Sequence, residues 1–198
     1  MRAKHIFTKP LLKQPQVMVR LRWLRQNKRG RAMTDLEASA NSSFPDLSRI
    51  KAVIVDDLAF GREVARSLLV AAGVQNIWVA SDVHEGWHLV CNQHPHLLIL
   101  DWQMQGMPGL KLLEMVRQSP SSPNPFMPVL MLTAYREQQR VLEALGAGTT
   151  SYLVKPFTPR EFYLKLKFCI EDKRSFEKQG SYFGPKRAGV GRSIHVLD

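Results

Sequence analysis

Between Ile50 and Glu171 the chain alternates short, uninterrupted apolar runs with amphipathic stretches of helical period, five of each, and few folds accommodate that order. The runs are Lys51-Ala-Val-Ile-Val55, Asn76-Ile-Trp-Val-Ala80, His96-Leu-Leu-Ile-Leu100, Pro128-Val-Leu-Met-Leu132 and Thr150-Ser-Tyr-Leu-Val154. Continuous apolarity, in place of alternation, marks strands covered on both faces, which is the habit of parallel sheets. Phe60, Val64, Leu68 and Ala71 repeat at helical spacing and stop at Gly73. A second helix starts at a cap, Ser81 or Asp82, with Glu85 placed to complete a capping box when Asp82 is read as the first helical residue, and runs to about Gln93. Leu110–Gln118, Arg136–Gly146 and Thr158–Glu171 follow, the last with Thr158 as N-cap and Pro159 in the first turn. With right-handed crossovers, the expected fold is α/β: a flavodoxin-like, doubly wound, five-stranded parallel sheet of order 2-1-3-4-5 with five helices.

In such sheets ligands bind beyond the carboxyl ends of the strands. Asp56 and Asp57 follow the first run, Asp101 the third, Thr133 the fourth and Lys155 the fifth. Three carboxylates converging there repel one another unless a cation neutralises them, and a hard divalent ion such as Mg²⁺ suits oxygen donors. Lys155 adds a fixed ammonium and Thr133 a hydroxyl, enough with a metal to hold the three equatorial oxygens of a transferring phosphoryl group. A carboxylate at the centre is then the nucleophile, forming an acyl phosphate. The sequence has no glycine-rich phosphate loop, so nucleotide hydrolysis is not expected.

Residues 49–172 resemble the receiver domain of bacterial two-component response regulators. The likeness rests on Val-Asp56-Asp57, Leu-Ile-Leu-Asp101-Trp-Gln-Met104, Leu-Thr133-Ala134 and Tyr152-Leu-Val-Lys155-Pro156-Phe157. It implies that Asp101 is the phosphoacceptor and that Thr133 and Lys155 contact the phosphoryl oxygens. It also implies that Asp56, Asp57 and Asp101, with the backbone carbonyl of Gln103, bind Mg²⁺ (or Mn²⁺), and that Ala134 leaves room for the donor. Tyr152 matches the switch aromatic that follows Thr133 inward, and Lys155-Pro156 a cis peptide bond. A histidine kinase or histidine phosphotransfer protein is the implied donor and a second protein the implied target. Self-dephosphorylation is implied, but no turnover of an external substrate. The assembly is expected to be a monomer or a phosphorylation-dependent dimer through the fourth and fifth helices, where Arg140, Glu143, Glu161 and Lys165 are candidate ion-pair partners. One departure is visible: where the family carries Met-Pro, this chain has Met104-Gln105, so the loop after Asp101 is expected to be more mobile.

The 198 residues suffice for one domain with extensions, and 44% apolar with 23% charged residues reads as globular. No run approaches the ~20 apolar residues that span a bilayer. Cys91 and Cys169 lie far apart in helical segments and read as free thiols of a cytoplasmic protein. The net charge of +11 is not a property of the expected domain: residues 1–32 hold ten Lys/Arg and no acid, whereas residues 47–170 hold twelve bases and ten acids. Residues 1–48 are therefore read as a basic, disordered extension, with Met33 an alternative start. The rival function is a transcription regulator that places Arg20, Arg22, Arg25, Lys28, Arg29 and Arg31 on DNA phosphates. Residues 173–198 are read as a Gly-rich basic tail, in which Tyr182-Phe183-Gly184-Pro185 is either a partner-docking peptide or a segment whose aromatics pack back on the domain.

Overall fold

The computed structural model describes residues 46–134 and 138–187, and the side chains of all of these except 138–141. Within them the elements run β1 Lys51–Val55, α1 Ala59–Ala71, β2 Asn76–Ala80, α2 Val83–Gln93, β3 Leu97–Asp101, α3 Gly109–Gln118 and β4 Val129–Thr133. They continue with α4 Gln138–Gly146, β5 Ser151–Val154, α5 Pro159–Glu171, β6 Phe176–Gln179 and β7 Tyr182–Pro185. The expected sheet is present, five strands in the order β2-β1-β3-β4-β5, each neighbouring pair parallel. The basic arm, Met33, Arg136 and residues 188–198 lie outside the described residues, as does the side chain of Arg140.

Why the strands read as continuously apolar is plain from the packing. Val53, Val55, Leu98, Leu100, Val129 and Met131 face one core with Val83, Val90, Leu112, Leu113, Val116 and Ala144 of α2, α3 and α4. The intervening Ala52, Ile54, Leu97, Ile99, Leu130 and Leu132 face a second core with Ala65, Leu69, Phe162 and Leu166 of α1 and α5. Period-2 alternation therefore exists but sorts side chains between two interiors, so both phases are apolar.

Three local expectations are corrected. In α1 the buried positions are Ala65 and Leu69, one residue beyond the Val64–Leu68 face, and Phe60 is 81% exposed. In α2, Asp82, one of the two expected caps, is the N-cap and not the first helical residue, accepting from the Glu85 amide at 2.9 Å, and Glu85 Oε2 reaches back to the amide and hydroxyl of Ser81. The third helix starts one residue earlier than read, at Gly109. At α5 the capping box is complete: the Glu161 amide donates to Thr158 Oγ1 and the Thr158 amide to Glu161 Oε2. Glu161 is thereby committed to its own helix.

Residues 176–185 form an antiparallel hairpin, which the sequence does not announce. Its Phe176 and Phe183 rings meet each other and Phe126 of the segment between α3 and β4, with centroids 5.1–5.6 Å apart. Beneath them Arg117, 3% exposed, donates from Nε to the Gly148 carbonyl and from Nη1 to that of Pro125, and its guanidinium lies 5.3 Å from the Phe176 ring centroid. Phe176 and Phe183 of the tail thus pack on the domain, whereas the Tyr182 hydroxyl donates to the Pro185 carbonyl within the hairpin itself. No described helix is long and apolar enough to cross a membrane.

Candidate functional site

The three acids arrive at one place because β1 and β3 are hydrogen-bonded neighbours and end together. Asp56 is 1% and Asp101 5% exposed, while Asp57 is half-buried. Each of the three offers one carboxylate oxygen, and those oxygens all lie within 4.8 Å of one another. From the end of β5, Lys155 places its Nζ 2.9 Å from Asp56 Oδ2 and 3.0 Å from Asp101 Oδ1. The Lys155 amide donates to the Thr133 carbonyl across β4 and β5, fixing the two strand ends together, and Thr133 itself is buried. The Lys155–Pro156 peptide is cis.

Burial pushes the Asp101 carboxyl above its ordinary range; Lys155 pulls the other way, and the neighbouring charges of Asp56 and Asp57 add to the rise. Burial alone would lower Lys155, yet its hydrogen bond to Asp56 and its interactions with Asp101 outweigh that and hold the ammonium above its ordinary value. The donor set is oxygen only, three carboxylates with a compact bite, which fits a hard divalent ion such as Mg²⁺ or Mn²⁺ and not a thiolate-seeking metal. Gln103 lies exposed in the loop just beyond Asp101. Tyr152 is half-buried against the α2–α3–α4 core, with the Lys165 ammonium 5.3 Å from its ring centroid, and burial raises its hydroxyl.

Gly61 and Arg62 escape a reading of the sequence alone, as does the bond that Gln105 makes. Gln105, the departure from Met-Pro, donates its amide to Asp57 Oδ2 at 3.0 Å, a bond that proline cannot make, so the loop expected to be more mobile is tied to the acid cluster. Gly61 lies against the Asp56 carboxylate. Arg62 Nη1 donates to the carbonyls of Asp56 at 2.7 Å and Asp57 at 3.1 Å.

Residues 52–167 match the model of the response regulator receiver domain. This chain belongs to that family. The match spans more than half of the molecule and ends before the β6–β7 hairpin. Among similar receiver proteins, a chemotaxis protein CheY homolog of Campylobacter jejuni is 34% identical over 119 residues, 60% of this chain and 90% of the relative. The chemotaxis protein CheY of Pseudomonas aeruginosa is 34% identical over 122 residues, 62% of this chain and 97% of that one. Among solved receiver structures, Vibrio cholerae chemotaxis protein CheY4 superimposes with a TM-score of 0.55 at 29% identity, covering 60% of this chain and 96% of that one.

Proposed function

We infer that this receiver accepts a phosphoryl group on Asp101 from a histidine kinase or histidine phosphotransfer protein and signals by changing its contacts with another protein. The carrying observation is the placement of one ammonium, Lys155, between two nearly sealed carboxylates, Asp56 and Asp101, with Asp57 completing an oxygen-only cluster. Asp56, Asp57, Asp101 and the Gln103 carbonyl are the groups that would hold Mg²⁺, which when bound supplies charge neutralisation for the acids and for the incoming phosphoryl oxygens. A carboxylate oxygen of Asp101 attacks phosphorus, the bond from phosphorus to the donor nitrogen breaks, and the donor imidazole leaves with the electron pair. Lys155 is placed to follow the new negative charge from carboxylate to phosphoryl oxygen, and the Thr133 hydroxyl to donate to a second one.

Tyr152 supplies the readout: its ring packs between the core and α5, so an inward move of Thr133 on the adjacent strand changes the space open to it. Incubation with acetyl phosphate and MgCl₂ should yield one hydroxylamine-sensitive phosphoryl group per chain, absent from Asp101→Ala. Undiminished labelling of Asp101→Ala would refute the assignment.

A further inference from the structure

We propose that Gly61 and Arg62 are positioning residues that set how tightly the acid cluster holds its divalent cation, although neither side chain is a ligand. The inference rests on the reading of the cluster as a metal site. Gly61 occupies the first turn of α1, where glycine normally costs stability. A Cβ built there would collide with Asp56 Oδ2 and stand 2.7 Å from Cγ and 2.8 Å from Oδ1. The Asp56 carboxylate is therefore laid directly on the helix backbone, with Oδ1 accepting from the Leu58 amide at 2.8 Å and Oδ2 from Lys155. Any side chain at position 61 displaces it.

The next residue secures the main chain of the same two acids. A single nitrogen, Arg62 Nη1, bonds the consecutive carbonyls of Asp56 and Asp57. Two successive peptide planes are fixed by one cation, and with them the directions in which both acidic side chains leave the backbone. Groups that orient metal ligands without touching the metal typically govern affinity by about 10- to 100-fold.

Charge and position act with opposite sign at Arg62, which makes the idea decidable. Deleting a nearby positive charge by itself strengthens the attraction for a divalent cation. A loss of affinity on neutralising Arg62 must then come from lost geometry. Because one nitrogen makes both bonds, Arg62→Lys retains a donor of nearly the same reach, whereas the amide of Arg62→Gln, two atoms shorter than the arginine, falls short of the two carbonyls. Lys and Gln are good helix formers, so neither endangers α1.

The test is calorimetric titration of MgCl₂ into the full-length protein, with metal-free thermal midpoints measured alongside. Wild type should bind; Gly61→Ala and Arg62→Gln should each bind about tenfold more weakly or worse, and Arg62→Lys should recover most of the Arg62→Gln loss. Equal or tighter binding by Arg62→Gln would overturn the role of Arg62, and wild-type affinity in Gly61→Ala that of Gly61. A merely structural role would lower the metal-free midpoint of Arg62→Gln without the rescue in affinity by Arg62→Lys. Absence of binding by the wild type would instead bring down the reading of the cluster as a metal site, a result distinguishable from all of these.

Discussion

The Lys155 ammonium stands 3.0 Å from Asp101 Oδ1, and the same nitrogen also serves Asp56. One cation thus balances two carboxylates that are almost closed to water. Breaking a fully buried pair by removing one partner costs roughly 3–5 kcal/mol; the Lys155 side chain is 28% exposed, so water partly replaces it, and Lys155→Met should cost about 2 kcal/mol in EDTA. Adding Asp101→Asn to that variant removes one of the orphaned charges and should return at least half of the loss. Urea unfolding of the single and double variants checks this; no return would mean that the lysine contributes by its alkyl packing alone.

Gln105 makes a prediction of a different kind. Its amide points at Asp57 Oδ2, so the loop after β3 is held by a charged acceptor in another element. Asp57→Ala should accelerate native-state hydrogen exchange at the Gln105 amide by about tenfold, the equivalent of ~1.4 kcal/mol for a hydrogen bond to a charged group. Unchanged exchange would show the contact to be too weak to hold the loop.

The strands and the acid cluster were legible because both follow from short-range rules. A strand covered on both faces must be apolar in both phases, and a polar residue just beyond it must serve the site or cap a helix. The phase of α1 is not legible because Phe60 looks like a core residue, yet in the first turn of the helix it is exposed, and the buried face runs through Ala65 and Leu69. Gly61 reads as a weak helix position until its neighbour is known to be a carboxylate 99 residues from the lysine it bonds. The hairpin was hidden for a similar reason. Phe176-Glu-Lys-Gln179 and Tyr182-Phe-Gly-Pro185 are short and interrupted, and what holds them, Arg117, Phe126 and Gly148, lies 28 to 68 residues away in the chain.

That hairpin should be part of the folded unit. Gly148 has φ +92°, and a Cβ on it would run into the Phe183 carbonyl, so Gly148→Ala is penalised twice, by conformation and by contact. Phe183→Ala removes a half-buried ring from the aromatic cluster over Arg117. Each should cost about 2 kcal/mol in urea unfolding, below the 3–5 of a fully buried phenylalanine. A chain ending at residue 172 that unfolds at the same urea concentration as the full chain would show the hairpin to be an ornament.

The two thiols should separate cleanly. Burial pushes Cys169 up to about 12, with Asp172 adding to the rise, and the residue is 1% exposed; Cys91 is half-buried and raised by burial alone. Since the thiolate is the reactive form, an Ellman-type reagent should modify one thiol of the native protein slowly and the second only on unfolding. Peptide mapping should place the first on Cys91, and native labelling at Cys169 would contradict the packing of α5.

Acid should loosen the joint that leads into the hairpin. Arg174 grips Asp172 through Nε to Oδ1 at 2.9 Å and Nη2 to Oδ2 at 2.7 Å, and Nη2 also donates to the Thr150 carbonyl at 2.8 Å, just ahead of β5. Burial pushes the Asp172 carboxyl up, but its hydrogen bonds from Arg174 prevail and leave it below its ordinary value. With the folded value depressed, the unfolded chain takes up the proton first. The stabilisation is therefore whole above the unfolded value of 3.8 and is lost as pH falls through the folded one. Asp172→Asn should be less stable than wild type by about 1 kcal/mol at neutral pH, as expected for a hydrogen-bonded pair with partial access to water. That gap should stay constant down to about pH 5 and close below about pH 4. Measuring the gap, in place of either curve alone, cancels the other carboxylates that titrate in the same range; a gap equally wide at neutral pH and at pH ~3 would show that the Asp172 charge does not hold Arg174 against Thr150.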